Sequence, residues 1–126
     1  MEQEIWKPVI GYEGLYEVSC YGEIRRLDNV VIDSIGRRRL FKGHTLKKYN
    51  SPQGYDYITL SRAGVWRSEF VQRVVALAFV KNDDPKNKTE VNHIDENKKN
   101  NRSDNLEWVT SSENKRHGTG IARMLR

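Results

Sequence analysis

The chain has 126 residues, 37% of them hydrophobic and 31% charged, with a formal net charge of +5 and an isoelectric point near 9.4. This length and apolar share suit one compact domain or two small units sharing a core, and the mixed charge excludes a disordered tail. Cys20 is the only cysteine, which excludes an intrachain disulfide framework and a cysteine-based zinc site, and no apolar run reaches membrane-spanning length.

The N-terminus, Met1-Glu2-Gln3-Glu4, is acidic and polar and unlike a signal peptide. The expectation is a soluble protein of a reducing compartment, the cytoplasm. Glycines then punctuate the first half, with short β-type stretches between them. Leu15 to Ser19 and Glu23 to Leu27 flank a tight Tyr21-Gly22 turn and read as a hairpin. Val30 to Ile32, Thr45 to Lys47, Tyr57 to Leu60 and Arg67 to Val71 are further strand candidates. Together they predict one small antiparallel sheet. Across it, from Ser34 to Tyr55, no acidic residue occurs, while Arg37, Arg38, Arg39, Lys42, Lys47 and Lys48 do. Such a one-sign block is a solvated loop or a surface for a polyanion.

From Val71 to Val80 the apolar residues Val71, Val74, Val75, Ala78 and Phe79 repeat at helical spacing, and Val71 equally suits the end of the preceding strand. The helix must stop before Asn82-Asp83-Asp84-Pro85. A stretch dense in Asn, Lys and Asp follows, then Leu106-Glu107-Trp108-Val109, which reads as a strand with Trp108 in the core. Thr110-Ser111-Ser112-Glu113 fits a capping box that opens a short helix, Ser111 to His117, stopped by Gly118.

The informative constellation is Val91-Asn92-His93-Ile94-Asp95, then Asn97, Asn100-Asn101, Asn105-Leu106-Glu107-Trp108-Val109-Thr110 and Glu113-Asn114. It resembles the ββα-metal motif of HNH endonucleases, in the phage and group I intron homing endonuclease variant whose third signature residue is Asn. The stretch from Glu4 to Ser19, followed by Gly22, resembles the modular DNA-binding segment that precedes the motif in those enzymes. Gly54-Tyr55 through Leu60 and Val74 through Phe79 are similar to their middle region.

The resemblance implies an α+β protein: a β-rich DNA-binding region over residues 1–70, a central helix and ββα-metal motif over 71–118, and a tail over 119–126. It implies a metal-dependent endonuclease, phage- or prophage-encoded and acting in a bacterial cell. The partner would be double-stranded DNA, with the motif against the minor groove; no membrane partner is expected, and oligomeric state is left open. His93 would be the general base, and Asn105, by side chain or backbone carbonyl, would hold its other nitrogen. Asn92 and Asn114 would hold a divalent metal, Mg²⁺ or alternatively Mn²⁺. Arg37, Arg38, Arg39, Lys47, Lys48 and Arg73 would contact DNA.

The chemistry agrees with those residue types. A histidine with a pKa near ~6.5 takes a proton from water at neutral pH. A hard cation held by oxygens neutralises charge developing on a phosphate. Adjacent strand residues point to opposite faces, so for Asn92 and His93 to share one site the strand must end or bend there.

Four positions depart from the family pattern, one of them Cys20, which stands where Asn is common. Asn92 stands where Asp is frequent, which removes one negative charge and implies that Asp at 92 would strengthen the site. Gln72 stands before Arg73 where His is usual, and Asp95-Glu96 replaces Asp-Gly. Asn92, Gln72 and Glu96 keep a second reading alive, a non-catalytic DNA-binding protein on the same fold. An RNA-binding module would need exposed aromatics on a sheet face, which Tyr16, Tyr57 and Phe70 leave open. The calcium-loop reading from Asp95 fails, with Asn100 and Leu106 where Gly and Glu are required.

Overall fold

The computed structural model describes residues 3–114. In chain order its elements are β1 (Trp6–Pro8), β2 (Tyr16–Ser19), β3 (Ile24–Arg26), β4 (Asn29–Ile32), β5 (Arg38–Phe41), β6 (His44–Thr45), β7 (Tyr49–Asn50), β8 (Asp56–Arg62), β9 (Val65–Phe70), α1 (Val71–Phe79), β10 (Glu90–His93), a single 3-10 turn (Ser103–Asn105), β11 (Leu106–Val109) and α2 (Ser111–Asn114). The architecture is α+β, as expected. The end expected for the last helix at His117, the Gly118 stop and the 119–126 tail lie outside the described residues.

Where the sequence predicts one N-terminal sheet, three form: β1-β2-β3-β6, β4-β5 and β7-β8-β9. All their pairings are antiparallel. The division follows from where the apolar residues lie. Tyr16, Val18 and Ile24 of the first sheet and Ile58 and Leu60 of the third alternate inward and are sealed from solvent. The β4-β5 hairpin contributes nothing to that core; Val30, Ile32, Leu40 and Phe41 are all exposed. The basic stretch is therefore no loop: Arg38 and Arg39 sit in β5, paired to Ile32 and Val31.

The helix α1 leaves β9 directly at Val71, with Phe70 still extended, so Val71 belongs to the helix. Val71, Val74 and Val75 form its buried stripe and join Tyr16, Val18, Ile24, Ile58, Leu60 and Leu106 in one cluster. One core thus ties both halves of the chain together. Trp108 is in the core as predicted, and its indole N–H donates to the Val80 carbonyl at 3.0 Å, fastening β11 to the end of α1. The capping box also forms: the Thr110 N–H donates to Glu113 Oε1 at 2.9 Å, and the Glu113 N–H to Thr110 Oγ1 at 3.1 Å.

Candidate active site

Strands β10 and β11 pair antiparallel, with Asn92 opposite Glu107 and His93 opposite Leu106. Alternation sends Asn92 and His93 to opposite faces of this hairpin, and β10 ends at His93, where the sequence required an end or a bend. The chain turns at once, with the Glu96 N–H donating to the His93 carbonyl at 2.9 Å. Glu96 adopts a φ of 63° there. That left-handed conformation explains why Gly is usual at this position; a side chain costs roughly 1–2 kcal/mol.

His93 is buried, and its Nε2 lies 2.7 Å from Asn101 Oδ1. An amide oxygen only accepts, so Nε2 carries the proton and Nδ1 keeps its lone pair. No hydrogen bond takes up Nδ1 among the described residues. Burial lowers the His93 pKa below its ordinary value, outweighing the opposing effects of Asn101 and Asp95. The ring is therefore neutral at pH 7 and poised to accept a proton. Tyr55 stacks on it at 6.0 Å between centroids, 21° from parallel.

Asn105, expected to hold His93 itself, works at one remove. Its Oδ1 accepts from the Asp95 N–H at 3.0 Å, and its Nδ2 donates to Asp95 Oδ1 at 2.9 Å and to the Asn100 carbonyl at 2.8 Å. Its backbone carbonyl accepts from the Ile94 N–H at 2.8 Å. Asn105 thus clamps both ends of the loop that carries Asn101. Its short side chain is fully used in that task.

The N-terminal half supplies the other wall. Ser103 N–H donates to the Cys20 carbonyl at 2.9 Å, and the Arg102 guanidinium lies 4.3 Å above the Tyr21 ring. Gly22, at φ +93°, presses on Asn101: a Cβ built there would stand 3.0 Å from the Asn101 carbonyl oxygen. Lys98 donates to the Gln53 carbonyl at 2.7 Å, and Lys99 pairs with Asp56 at 2.6 Å. The sequence assigns no site role to Asn101 or Tyr55, and to Gly22 only a place in a turn. A doublet of asparagines and a turn glycine give no sign that they will meet.

Asn92 and Asn114 come to one side of the β10-β11 hairpin, where α2 packs on β10. Asn92 Nδ2 donates to Glu107 Oε2 at 2.8 Å, and Asn114 Nδ2 to Glu90 Oε1 at 2.8 Å. Their Oδ1 atoms have no hydrogen-bond donor among the described residues. A pair of hard amide oxygens fits a magnesium-type cation, and no group of three or more His, Cys, Asp or Glu side chains suited to a metal occurs among the described residues.

The basic residues fare unequally. Arg37 pairs with Asp33 at 2.9 Å and Lys48 with Glu23 at 3.0 Å, while Arg39 lies 4.0 Å from Asp33. Lys47 sits 5.4 Å from the Tyr49 ring centroid. Arg73 donates to the Thr89 carbonyl at 2.8 Å and lies 5.4 Å from the Trp108 ring, a contact that braces α1 against the β10-β11 hairpin. Arg38 has no ion pair among the described residues.

Gln72 is buried, and its Oε1 and Asn101 Nδ2 have no hydrogen-bond partner among the described residues. No described helix is long and apolar enough to cross a membrane.

Two family models match the chain, a NUMOD4 motif over residues 4–61 and an HNH endonuclease over residues 69–116. An HNH endonuclease of Acanthamoeba polyphaga mimivirus is 40% identical over 118 residues, which cover 92% of this chain and 26% of that protein. The DNA endonuclease I-HmuI of Bacillus phage SP01 is 36% identical over 109 residues, covering 86% of this chain and 54% of the relative. The chain therefore spans from about a quarter to about half the length of these two relatives. A solved structure of the HNH homing endonuclease I-HmuI superposes with a TM-score of 0.70 at 32% identity, covering 96% of this chain and 65% of that one. The chain thus carries a NUMOD4 motif followed by an HNH endonuclease motif, and it shares its fold with the phage homing endonuclease I-HmuI along nearly its whole length.

Proposed function

We propose that the chain is a metal-dependent DNA endonuclease, with His93 as general base and Asn92 and Asn114 as ligands to a divalent cation. The observation that carries this reading is the His93–Asn101 hydrogen bond, which holds the ring by Nε2 and leaves Nδ1 without a hydrogen bond among the described residues. A free histidine tumbles between tautomers; a base aimed by a second residue does not.

In this mechanism His93 Nδ1 removes a proton from water as the oxygen forms a bond to phosphorus. One phosphorus–oxygen bond of the backbone breaks, and the departing oxygen is protonated from solvent. A divalent cation, when bound, stabilises the negative charge on the phosphate and on the leaving oxygen. Asn92 and Asn114 would hold it through Oδ1; Mg²⁺ suits neutral hard oxygens, and Mn²⁺ serves as an alternative. Asn105 contributes by fixing the loop.

Duplex DNA is the proposed partner, gripped by the N-terminal half. I-HmuI is described as binding and cleaving DNA, which supports the same substrate here. The exposed hairpin with Arg37, Arg38 and Arg39 supplies the electrostatic surface. The pairing of Lys48 with Glu23 and of Arg73 with Thr89 leaves these two less free for phosphate than composition implies.

His93→Ala should reduce nicking of supercoiled plasmid by about 10²–10⁴-fold while a gel-shift assay shows DNA binding retained. EDTA should abolish nicking by the wild type. Wild-type binding without cleavage in either Mg²⁺ or Mn²⁺ would instead favour the non-catalytic reading.

Because burial lowers the His93 pKa, the neutral base persists below the ordinary histidine range. The acid limb of single-turnover cleavage should have its midpoint below the ordinary histidine pKa of about 6.5. A profile that already falls between pH 8 and 7 would assign the limiting proton to another group.

Arg38→Ala should flatten the log–log salt dependence of binding by about one unit, equally on two unrelated duplexes. Lys48→Ala should leave the slope nearly unchanged. Fluorescence anisotropy across a salt series separates the two; a loss confined to one duplex would mean that Arg38 reads sequence.

A further inference from the structure

We propose that Glu107 and Glu90 are positioning residues, which aim the amide oxygens of Asn92 and Asn114 at the divalent cation. The inference rests on the reading above that these two asparagines are the ligands. It adds the residues that set their direction and returns the charge the site lacks at position 92.

The contacts are built by the backbone. Glu107 is the register partner of Asn92, directly across the β10-β11 ladder. Glu90 lies two residues before Asn92, on the same face of β10. Asn114 reaches Glu90 from α2, whose start is fixed by the Thr110–Glu113 capping box. Asn92 is 8% exposed, so its hydrogen bond to Glu107 is largely shielded from water.

The direction follows from donor chemistry. An ionised carboxylate only accepts, so each asparagine must present its NH₂ group to its glutamate. The Oδ1 of the same planar amide then points elsewhere, and without the glutamate the amide is free to turn its NH₂ toward the cation. Neutral oxygens are weak ligands, but a carboxylate hydrogen-bonded to the far side of the amide pushes electron density toward the oxygen. The negative charge missing from position 92 thus stands one side chain away.

This arrangement reverses the expectation from sequence that Asp at position 92 improves the site. The introduced carboxylate would meet Glu107 where Asn92 now donates at 2.8 Å. Two acceptors cannot share that contact, and like charges repel.

The test uses Mn²⁺ alone, with binding to DNA-free protein followed by the electron paramagnetic resonance of the free ion. Glu107→Ala should weaken binding about 10–100-fold. Glu107→Gln should recover most of the loss, because its amide oxygen still accepts from Asn92. Wild-type affinity in the Ala variant, a Gln variant no better than Ala, or a wild type that takes up no Mn²⁺ would each overturn the inference. In EDTA, Asn92→Asp should lower the melting temperature by about 3–8 °C, and adding Glu107→Gln should relieve the loss. An Asn92→Asp variant as stable as the wild type would also overturn it. Cleavage enters neither readout. An inactive wild type that shows both effects therefore sinks the nuclease reading and leaves this one standing.

Discussion

Everything around the site depends on one buried hydrogen bond, from His93 Nε2 to Asn101 Oδ1. A polar ring held at 4% exposure must find a partner or forfeit roughly 1–3 kcal/mol. Asn101 is that partner, and it lies on a loop rich in Asn and Lys with little apolar material of its own. The loop keeps its shape through polar contacts: Asn105 closes its ends, Asp95 gathers Asn97, Asn100 and Asn105, and Gly22 backs Asn101 from the N-terminal side. These hydrogen bonds also hold the Asp95 carboxyl below its usual range.

That arrangement joins the two family motifs physically. The β2-β3 turn meets the loop through Gly22, Cys20 and Tyr21, and the β7-β8 connection meets it through Tyr55 and Gln53. The N-terminal half therefore forms a wall behind His93. The opposite face of the β10-β11 hairpin carries the asparagine–glutamate pairs. One two-stranded unit thus carries both His93, at the end of β10, and the two asparagines.

Much of this was legible before any coordinates. The motif from Asn92 to Asn114 fixes residue types at fixed spacing, and the hairpin at Tyr16–Arg26, the α1 stripe and the Thr110–Glu113 box each rest on local rules that tertiary packing left intact. What sequence could not reach was non-local. Nothing in Asn100-Asn101 says which asparagine meets His93, because the answer depends on how a loop folds against a glycine some eighty positions earlier. Glu107 read only as part of a strand, and only the register places it on Asn92. The split into three sheets was hidden for the same reason: β-type residues mark strands, while their partners are chosen by where the apolar faces close.

The central claim, that the N-terminal half holds the base through Asn101, is tested most directly by comparing two glycines in similar backbone conformations. Gly22 and Gly64 both have positive φ, +93° and +79°, but a Cβ at Gly64 meets nothing within 4 Å, whereas one at Gly22 meets Asn101. Alanine at either position pays the same backbone strain, roughly 1–2 kcal/mol; only at 22 does it also push the partner of His93. Displacement by a fraction of an ångström should cost a large part of the ~10²-fold that a 1 Å error costs an aligned site. The account predicts that Gly22→Ala cuts single-turnover cleavage at least tenfold below Gly64→Ala, at saturating DNA and at a temperature where both are folded. Equal cleavage by the two variants would contradict it.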